Sequence, residues 1–341
     1  MKPAVFSLTF GLIFGAGSAA LGDLEDPVPL APESIQAFRP VQRAIPLPVE
    51  ISRQQAIFVQ ARLNGSQPLW FLLDSASSPP VILEEKRAAE LRLPADARGP
   101  GLGAGERPFE VTYSRGVSLS VAGLELGEQT VAATSLEQLG QYAGRTLDGI
   151  LGYELFRRYV VEVQYSSAVV NLYEPDGYRY DGPGQILPAT LDGKHFCIRV
   201  RITLDGTPPL EAKLLVDTGA GHLLTTLNAP YVDLHRLAPR DWTRHADRLQ
   251  MGLGGQSRLF AARARALELG GFVFHDVPIE FSRDEKGLMA SPDFDGILGG
   301  QMLRRFKVVF DHARQRIILD AAGIDQNTAL KEVSAGHFAA I

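Results

Sequence analysis

The chain has 341 residues, which is enough for two domains or for one large domain made of two halves. Its hydrophobic fraction of 45% and charged fraction of 21% are ordinary for a folded globular protein, and the formal net charge of -5 argues against nucleic acid or an acidic membrane surface as a partner. The single cysteine, Cys197, excludes an intramolecular disulfide and a zinc site built from paired cysteines.

The N-terminus has the pattern of an export signal. Lys2 provides a positive start, residues 4–14 form an apolar stretch, and residues 18–20 read Ser-Ala-Ala, a small-residue cleavage pattern. No charge follows Lys2 until Asp23, so an uncleaved membrane anchor is the alternative. We expect residues 1–22 to be a signal peptide and the mature protein to be periplasmic in a bacterium, or secreted, without stable membrane insertion.

The chain that follows is predicted to contain strands and turns. Residues 23–50 are rich in proline and acids and are predicted to be a leader or linker. Residues 57–63 then alternate between apolar and other side chains, Asn64-Gly65 predicts a hairpin turn, and residues 69–73 predict a second strand. The 34 glycines, 22 prolines and 8% aromatic residues also favour strands over a helical bundle.

The second half of the chain repeats this order. Residues 196–204 alternate strictly, Asp205-Gly206 predicts a turn, and residues 212–216 lead into Asp217. The segment "WFLLDSASSPPVIL" of the first half matches "KLLVDTGAGHLLTT", and "LDGILGYELFRRYVVEVQY" matches "FDGILGGQMLRRFKVVFDH". The distance between matched segments is nearly constant, which indicates two copies of one unit.

Each copy is predicted to close with a short helix and two strands. The helices are expected at residues 154–159 and 301–306, with paired arginines, Arg157-Arg158 and Arg304-Arg305, facing solvent. The strands are expected at residues 160–164, 169–173, 307–310 and 316–319.

Matched aspartates also precede the Gly-Ile-Leu-Gly segments of both copies. Asp148 and Asp295 each form an Asp-Gly pair, which is a turn signal. We therefore interpret them as turn formers and not as catalytic acids.

The repeated pattern resembles the aspartic peptidases. Each copy has an apolar strand, an Asp-Ser/Thr pair, a glycine cluster and an Ile-Leu-Gly segment before a short helix, and the closest likeness is to the retropepsin-like bacterial type with two copies fused in one chain. The resemblance covers about residues 51–321. It implies an all-β, bilobal, pseudo-two-fold fold of two β-barrel lobes with short helices, with lobes at residues 51–185 and 186–324 and a tail at residues 325–341.

The resemblance implies a pair of catalytic aspartates, Asp74 and Asp217. Two carboxyl groups within hydrogen-bonding distance share a proton, so one accepts a proton from water while the other donates to the peptide carbonyl. Ser75 and Thr218 are expected to hydrogen-bond across the two-fold axis and support the pair. The amide of Gly219 is expected to face a carboxylate.

The resemblance also assigns the glycine clusters and the Ile-Leu-Gly segments. The glycine hairpins are expected to be flaps that close over the substrate and exclude water. Their residues are Gly101, Gly103 and Gly105 in the first copy and Gly252, Gly254 and Gly255 in the second. The segments expected to pack beneath the catalytic loops are Ile150, Leu151 and Gly152, and Ile297, Leu298 and Gly299.

The first catalytic loop departs from the family pattern at Ala76. Alanine keeps the backbone amide, but its methyl group restricts positive φ and enters a crowded position beside the partner loop. We predict an aspartic endopeptidase that acts as a monomer on exported polypeptides, without a metal or organic cofactor. The alternatives are a catalytically degenerate peptide-binding protein on the same fold and an exported structural or assembly factor.

Other catalytic chemistries are not supported. The seven histidines form no HExxH motif, no Gly-x-Ser-x-Gly occurs, and the glycine clusters lack the Lys-Ser/Thr ending of a phosphate loop. His222 lies close to Asp217 in sequence, and a surface or packing role is preferred for it. Cys197 is interpreted as a small packed side chain.

Overall fold

The computed structural model describes residues 43–192, 194–221, 224–238 and 247–321. The predicted signal peptide at residues 1–22 and the predicted tail at residues 325–341 lie outside these residues. None of the helices within the described ranges has the length and hydropathy needed to cross a bilayer.

The described residues form 22 strands and five short helices. The strands are β1 (Ile45–Leu47), β2 (Val49–Ile51), β3 (Ile57–Leu63), β4 (Leu69–Leu73), β5 (Val81–Glu84), β6 (Ala97–Gly101), β7 (Phe109–Val121), β8 (Leu124–Thr134), β9 (Gly149–Leu151), β10 (Val160–Gln164), β11 (Val169–Tyr173), β12 (Gln185–Pro188), β13 (Thr190–Asp192), β14 (His195–Thr203), β15 (Leu210–Val216), β16 (Thr225–Leu227), β17 (Asp247–Gly252), β18 (Gly255–Leu269), β19 (Phe272–Ser282), β20 (Gly296–Leu298), β21 (Lys307–Asp311) and β22 (Arg316–Asp320). The helices are α1 (Glu85–Glu90), α2 (Glu137–Ala143), α3 (Tyr153–Arg158), α4 (Ala229–Leu234) and α5 (Gly300–Leu303).

Each copy of the repeat forms a lobe built on a closed barrel. The first sheet has the order β2-β3-β4-β9-β5-β8-β7-β6 and closes through pairing of β3 with β7. The second has the order β13-β14-β15-β20-β16-β19-β18-β17 and closes through pairing of β14 with β18. The strand order is the same in the two lobes, which confirms the predicted all-β bilobal fold.

The turn and alternation signals of the sequence explain the first hairpin of each lobe. Asn64 and Gly65 both have positive φ, as the tight turn between β3 and β4 requires, and Gly206 has positive φ in the matching turn. The side chains of β3 and β14 alternate between buried and exposed along most of their length. One face of each strand therefore packs into its barrel.

A third sheet joins the two lobes. Its order is β1-β11-β10-β21-β22-β12, and the closing strands of the two copies meet where β10 pairs with β21. Phe310 on β21 packs edge-on against Phe156 of the first lobe and Phe196 of the second, with ring centroids 5.1 and 5.5 Å apart. This shared core fixes the position of one lobe relative to the other.

The described end of the predicted leader is part of this folded body. Residues 43–50 contain β1, which pairs with β11, and most of β2, which pairs with β3. The first of these strands belongs to the joining sheet and the second to the first lobe.

The prediction that both arginine pairs face solvent is wrong for Arg305. Its side chain is buried, and its guanidinium lies over the ring of Phe274 at 5.7 Å. A planar, weakly hydrated guanidinium can pack on an aromatic face, and Phe274 provides one. In the first lobe, Arg157 and Arg158 are partly exposed and both pair with the buried carboxylate of Glu154.

Candidate active site

Asp74 and Asp217 directly follow matched strands, β4 in the first lobe and β15 in the second. Asp74 comes after β4 and donates its backbone amide to the carbonyl of Leu151 on β9, at 2.9 Å. Asp217 comes after β15 and donates its amide to Leu298 on β20, at 3.0 Å. In both lobes the Ile-Leu-Gly strand runs parallel to the strand before the aspartate and holds its end in place.

The Ile-Leu-Gly segments also reach the space beside the aspartates. Ile150 and Ile297 line the cavity that contains both carboxyl groups. Gly152 donates its amide to the carbonyl of Pro80, and Gly299 donates to Leu224, so each segment is tied to the loop that follows its aspartate.

Ser75 and Thr218 connect the two loops through four hydrogen bonds. The Ser75 hydroxyl donates to the carbonyl of Val216 at 2.7 Å, and the Thr218 hydroxyl donates to Leu73 at 2.8 Å. Each hydroxyl oxygen also accepts the backbone amide of the other residue, at 3.0 and 3.1 Å. Both side chains are buried, so these bonds are shielded from competing water.

The carboxylate oxygens are held in the same way in both loops. The amide of Ala76 donates to Oδ1 of Asp74 at 2.8 Å, and the amide of Gly219 donates to Oδ1 of Asp217 at 2.8 Å. The amide of Ala220 adds a second bond to Asp217 at 3.0 Å. The alanine in the first loop therefore keeps the hydrogen bond that a glycine makes in the second.

The space around the third loop residue differs between the lobes. A Cβ on Gly219 would lie 2.5 Å from Cγ and from Oδ2 of Asp74, closer than any side chain can approach. Ala76 has a negative φ, so its backbone needs no glycine. Its methyl group packs against an apolar cluster of the second lobe. Only one of the two loops requires glycine at this position.

Burial dominates the electrostatics of the two carboxyl groups. Desolvation raises the pKa of Asp74 well above its usual range, and the charge of Asp217 raises it further. Desolvation also raises the pKa of Asp217, while the amides of Ala220 and Gly219 oppose this rise. A hydrogen bond between the carboxyl groups raises the pKa of Asp74 and lowers that of Asp217. Because the two groups interact this closely, their titration belongs to the pair and not to either residue alone.

The predicted flaps meet above the aspartates. Gly101 ends β6, and the following residues form the first flap, while Gly252, Gly254 and Gly255 form the tight turn between β17 and β18. The amide of Gly105 donates to the carbonyl of Leu253 at 2.7 Å.

The flap glycines permit this close contact. A Cβ on Gly103 would clash with the carbonyl of Leu253, and a Cβ on Gly105 would clash with the backbone of Gly254. Gly254 also accepts the amide of Arg107 at 2.8 Å. The two tips therefore pair through their backbones and close the cleft between them.

The first flap is also held by the segment from Glu285 to Leu288, which was not predicted from the sequence. Leu288 donates its amide to the carbonyl of Gly103 at 2.8 Å, and Glu285 donates its amide to the carboxylate of Glu106 at 2.9 Å. The turn requires glycine at Gly287, where φ is +77° and the backbone lies against Gly105. This segment has no counterpart in the repeat, because helix α2 occupies the corresponding part of the first lobe. In the sequence, the glycine at position 287, followed by an apolar residue, is the feature that could have indicated this turn.

The flaps cover a cavity of about 250 Å³. Asp74, Asp217 and Gly219 lie on its floor, and Gly103 and Leu253 lie in its roof. Most of its remaining lining is apolar.

Asp148 and Asp295 lie outside this cavity. Oδ2 of Asp148 accepts the amide of Trp70 at 2.8 Å, and Oδ2 of Asp295 accepts the amide of Lys213 at 2.7 Å. Each therefore supports the strand that leads to a cavity aspartate. Across the described ranges, histidine, cysteine and acidic side chains form no group of three suited to a metal ion. His222 falls outside those ranges.

Comparison with known proteins gives one result. A family model described as aspartyl protease matches residues 59–155 and residues 200–302, so one matched segment falls in each lobe and each contains one aspartate of the pair. A search of curated proteins finds no match.

Proposed function

This chain belongs to the aspartyl protease family, and we propose that it hydrolyses peptide bonds with Asp74 and Asp217 as a catalytic pair. The observation that carries the proposal is the cross-bonded arrangement of the two loops, in which Ser75 and Thr218 tie the aspartates together at the floor of one cavity. Paired carboxyl groups that share a proton supply both the acid and the base of amide hydrolysis.

In the proposed reaction, the ionised carboxylate of Asp217 accepts a proton from water while the water oxygen attacks the carbonyl carbon. The carboxyl of Asp74 donates its proton to the carbonyl oxygen, so a neutral tetrahedral diol forms. Asp217 then gives its proton to the nitrogen as the C–N bond breaks, and Asp74 takes back a hydroxyl proton. These transfers restore the starting pair and need no metal ion or organic cofactor.

The proposed substrate is an extended polypeptide. The flap tips pair with each other through backbone groups, and these groups become available to a substrate strand when the flaps part. Separation of the flaps is therefore part of the proposed cycle. Both aspartates come from one chain, which supports a monomer as the active form.

We propose that the substrates are exported polypeptides. The support is the sequence pattern of residues 1–22, which has the three parts of a secretory signal. Cell fractionation with detection of the N-terminus tests this proposal. A chain that begins near Asp23 in the periplasm or medium is expected, and an intact N-terminus in the cytoplasm would contradict it.

Peptide binding without catalysis is the second candidate function, and Ala76 is the residue that favours it. The position of Ala76 argues for catalysis instead, because its amide still donates to Asp74 and its methyl group packs against the second-lobe cluster. The two candidates differ in whether a bound peptide is cut.

The test is cleavage of a diverse peptide pool by the full chain between acid and neutral pH. Wild type is expected to cut, and Asp74→Asn and Asp217→Asn are expected to lose cleavage. Asp276→Asn is the matched control, because Asp276 is exposed and its ion pair among the described residues is with Arg263 on the surface. Binding of peptides by wild type without any cut product would overturn the proposal in favour of the second candidate. Undiminished cleavage by either variant of the pair would also contradict it.

A further inference from the structure

We propose that the described residues of the cleft form a deep apolar pocket on the first-lobe side of the aspartates, and that the substrate carries one large apolar side chain next to a small one at the cut. This inference rests on the proposed peptidase function and deepens it to a substrate class. It follows from a difference between the lobes at positions that the strand pairing makes equivalent.

The first lobe opens an apolar wall to the cavity. Six apolar side chains line it on this side, from four barrel strands around Asp74, from helix α2 and from the segment before β9: Phe58, Leu72, Ile82, Leu139, Leu147 and Ile150. Five of the six belong to one buried cluster, and Leu139 packs against it. The wall is therefore continuous.

Strand register identifies the matching positions of the second lobe. Phe58 pairs with Leu72 across β3 and β4, and Cys197 pairs with Leu215 across β14 and β15. Cys197 thus takes the place of Phe58, and a large aromatic ring is replaced by a small side chain.

The same comparison applies to the next pair of strands. Ile82 pairs with Ile150, and Thr226 pairs with Ile297, so Thr226 takes the place of Ile82. The Thr226 hydroxyl is 3.2 Å from the carboxylate of Glu280 and is directed to that strand. A polar side chain with its own partner replaces an apolar one.

The second lobe fills the corresponding space with its own side chains. Cys197 and Leu215 form a buried cluster with Met289 and Phe294, which occupy the region where helix α2 stands in the first lobe. None of these four side chains is among the described residues that line the cavity. Ile297 and Ala220, two other members of the cluster, do line the cavity, and so does Leu288, which packs against the cluster.

Ala76 closes this side from the first lobe. Its methyl group packs against the cluster formed by Cys197, Leu215, Met289 and Phe294, and so does Leu288 from the flap-holding segment. The departure from the family pattern at position 76 thereby removes space on the second-lobe side. The unusual alanine and the one-sided cavity are two parts of one arrangement.

The cavity size limits what the pocket accepts. Its volume of about 250 Å³ lies just below the range of roughly 300–1,000 Å³ of pockets that hold drug-sized ligands, and the reacting peptide bond must share it. One large side chain fits beside the pair. Loss of one methylene from a group in such a pocket lowers kcat/KM by about 10–200-fold, so a change from leucine to alanine is expected to cost at least about 10-fold.

The test uses peptides that differ only in the two residues flanking the cut: Leu-Ala, Ala-Leu, Phe-Ala, Ala-Phe and Ala-Ala. Wild type is expected to prefer one order of each mixed pair over the reverse order by at least about 10-fold in kcat/KM. Affinities of the same peptides for Asp217→Asn are measured in parallel, since the pocket is expected to discriminate in binding whether or not the bond is cut.

A filling variant locates the pocket. Ala143 lines the cavity from helix α2, and Ala143→Leu is expected to abolish the preference for the large side chain while Ala-Ala peptides are still bound. Gln141→Leu is the matched control, because Gln141 is exposed on the same helix and does not line the cavity. If both residue orders give equal affinities and equal kcat/KM, and Ala143→Leu changes neither, the proposed pocket is contradicted. The proposed peptidase function is not affected by that result. Discrimination in binding without cleavage by wild type would support the pocket and overturn the peptidase function.

Discussion

The loops that carry Asp74 and Asp217 share their backbone arrangement but differ in the space around their third residue. In both loops the amide of that residue donates to the aspartate at 2.8 Å. Gly219 lies against the carboxyl group of Asp74, whereas the methyl group of Ala76 lies against apolar side chains of the other lobe. The two-fold symmetry therefore holds for the hydrogen bonds and fails for the side-chain packing.

This difference shows that one glycine of the repeated motif is required by geometry and the other is not. Neither Ala76 nor Gly219 has a positive φ, so the requirement comes from close contact and not from backbone conformation. The effect of a substitution within the motif depends on the contacts of the added atoms. At position 76 the added methyl group packs against the apolar cluster of the second lobe.

The largest expected effect comes from exchanging the two residues. Gly219→Ala places a methyl group against Asp74 and is expected to lower kcat/KM by at least about 100-fold, because a displacement of about 1 Å at reacting groups costs that much. Ala76→Gly is expected to stay within a few-fold of wild type. Steady-state cleavage of one peptide by both variants checks this. Equal losses in the two variants would refute the asymmetry.

Removal of the cross-connecting hydroxyls is expected to destabilise both lobes alike. Thr218→Val and Ser75→Ala each leave one buried amide and one buried carbonyl without a partner, at about 1–3 kcal/mol for each group. Urea unfolding measures the loss, and Ser166→Ala, an exposed site, is the control. A loss confined to one of the two variants would show that the connection is not symmetric.

The two aspartates are expected to differ in how they link stability to pH. Burial raises the pKa of Asp74 in the folded state. The contribution of Asp74 to the free energy of unfolding is therefore fully present below its unfolded-state pKa, near 3.9, and is lost as the pH rises through its folded-state pKa. The free energy of unfolding of Asp74→Asn should therefore increase relative to that of wild type as the pH rises. The gain should be smaller for Asp217→Asn, since backbone amides oppose the rise in its pKa. Urea unfolding from pH 3 upward checks this, and curves parallel to wild type would contradict it.

The smallest expected effect concerns Asp148 and Asp295, which support the strands before Asp74 and Asp217. Asp148→Ala and Asp295→Ala each remove the acceptor of one strand amide, at about 1 kcal/mol. Asp148 also pairs with Arg87, but that arginine is partly exposed, so the pair adds little. Thermal or urea unfolding should give similar losses for the two variants. A much greater loss for Asp148→Ala would show that Arg87 matters more than its exposure suggests.

The sequence predicted the parts of this molecule that depend on local pattern and on the repeat. The turn at Asn64-Gly65 follows from residue type alone, because both residues adopt positive φ there. The all-β fold in two lobes followed from the duplicated motif and is confirmed. The repeat also directed attention to Asp74 and Asp217, whose catalytic role remains a prediction.

Features that depend on contacts between unrepeated segments were not predictable. Arg305 lies over the ring of Phe274, which belongs to strand β19 and to no sequence motif. The hydrogen bond from the Leu288 amide to the Gly103 carbonyl joins segments that are far apart in the chain. Neither segment alone indicates this contact. The proposed pocket depends on the cluster that contains Met289 and Phe294, in the part of the second lobe that corresponds to helix α2 of the first. These features become visible only when the packing of the side chains is known.

The measurement that tests the account most directly is a double-mutant cycle on Asp74 and Asp217. Peptide cleavage is compared for wild type, Asp74→Asn, Asp217→Asn and the doubly substituted chain, with Asp276→Asn as control. If the two carboxyl groups share one proton and act as a unit, each single variant falls to the same background as the double variant. Substantial cleavage by Asp74→Asn alone, with further loss in the double variant, would show that the first loop takes no part in catalysis and would contradict the account.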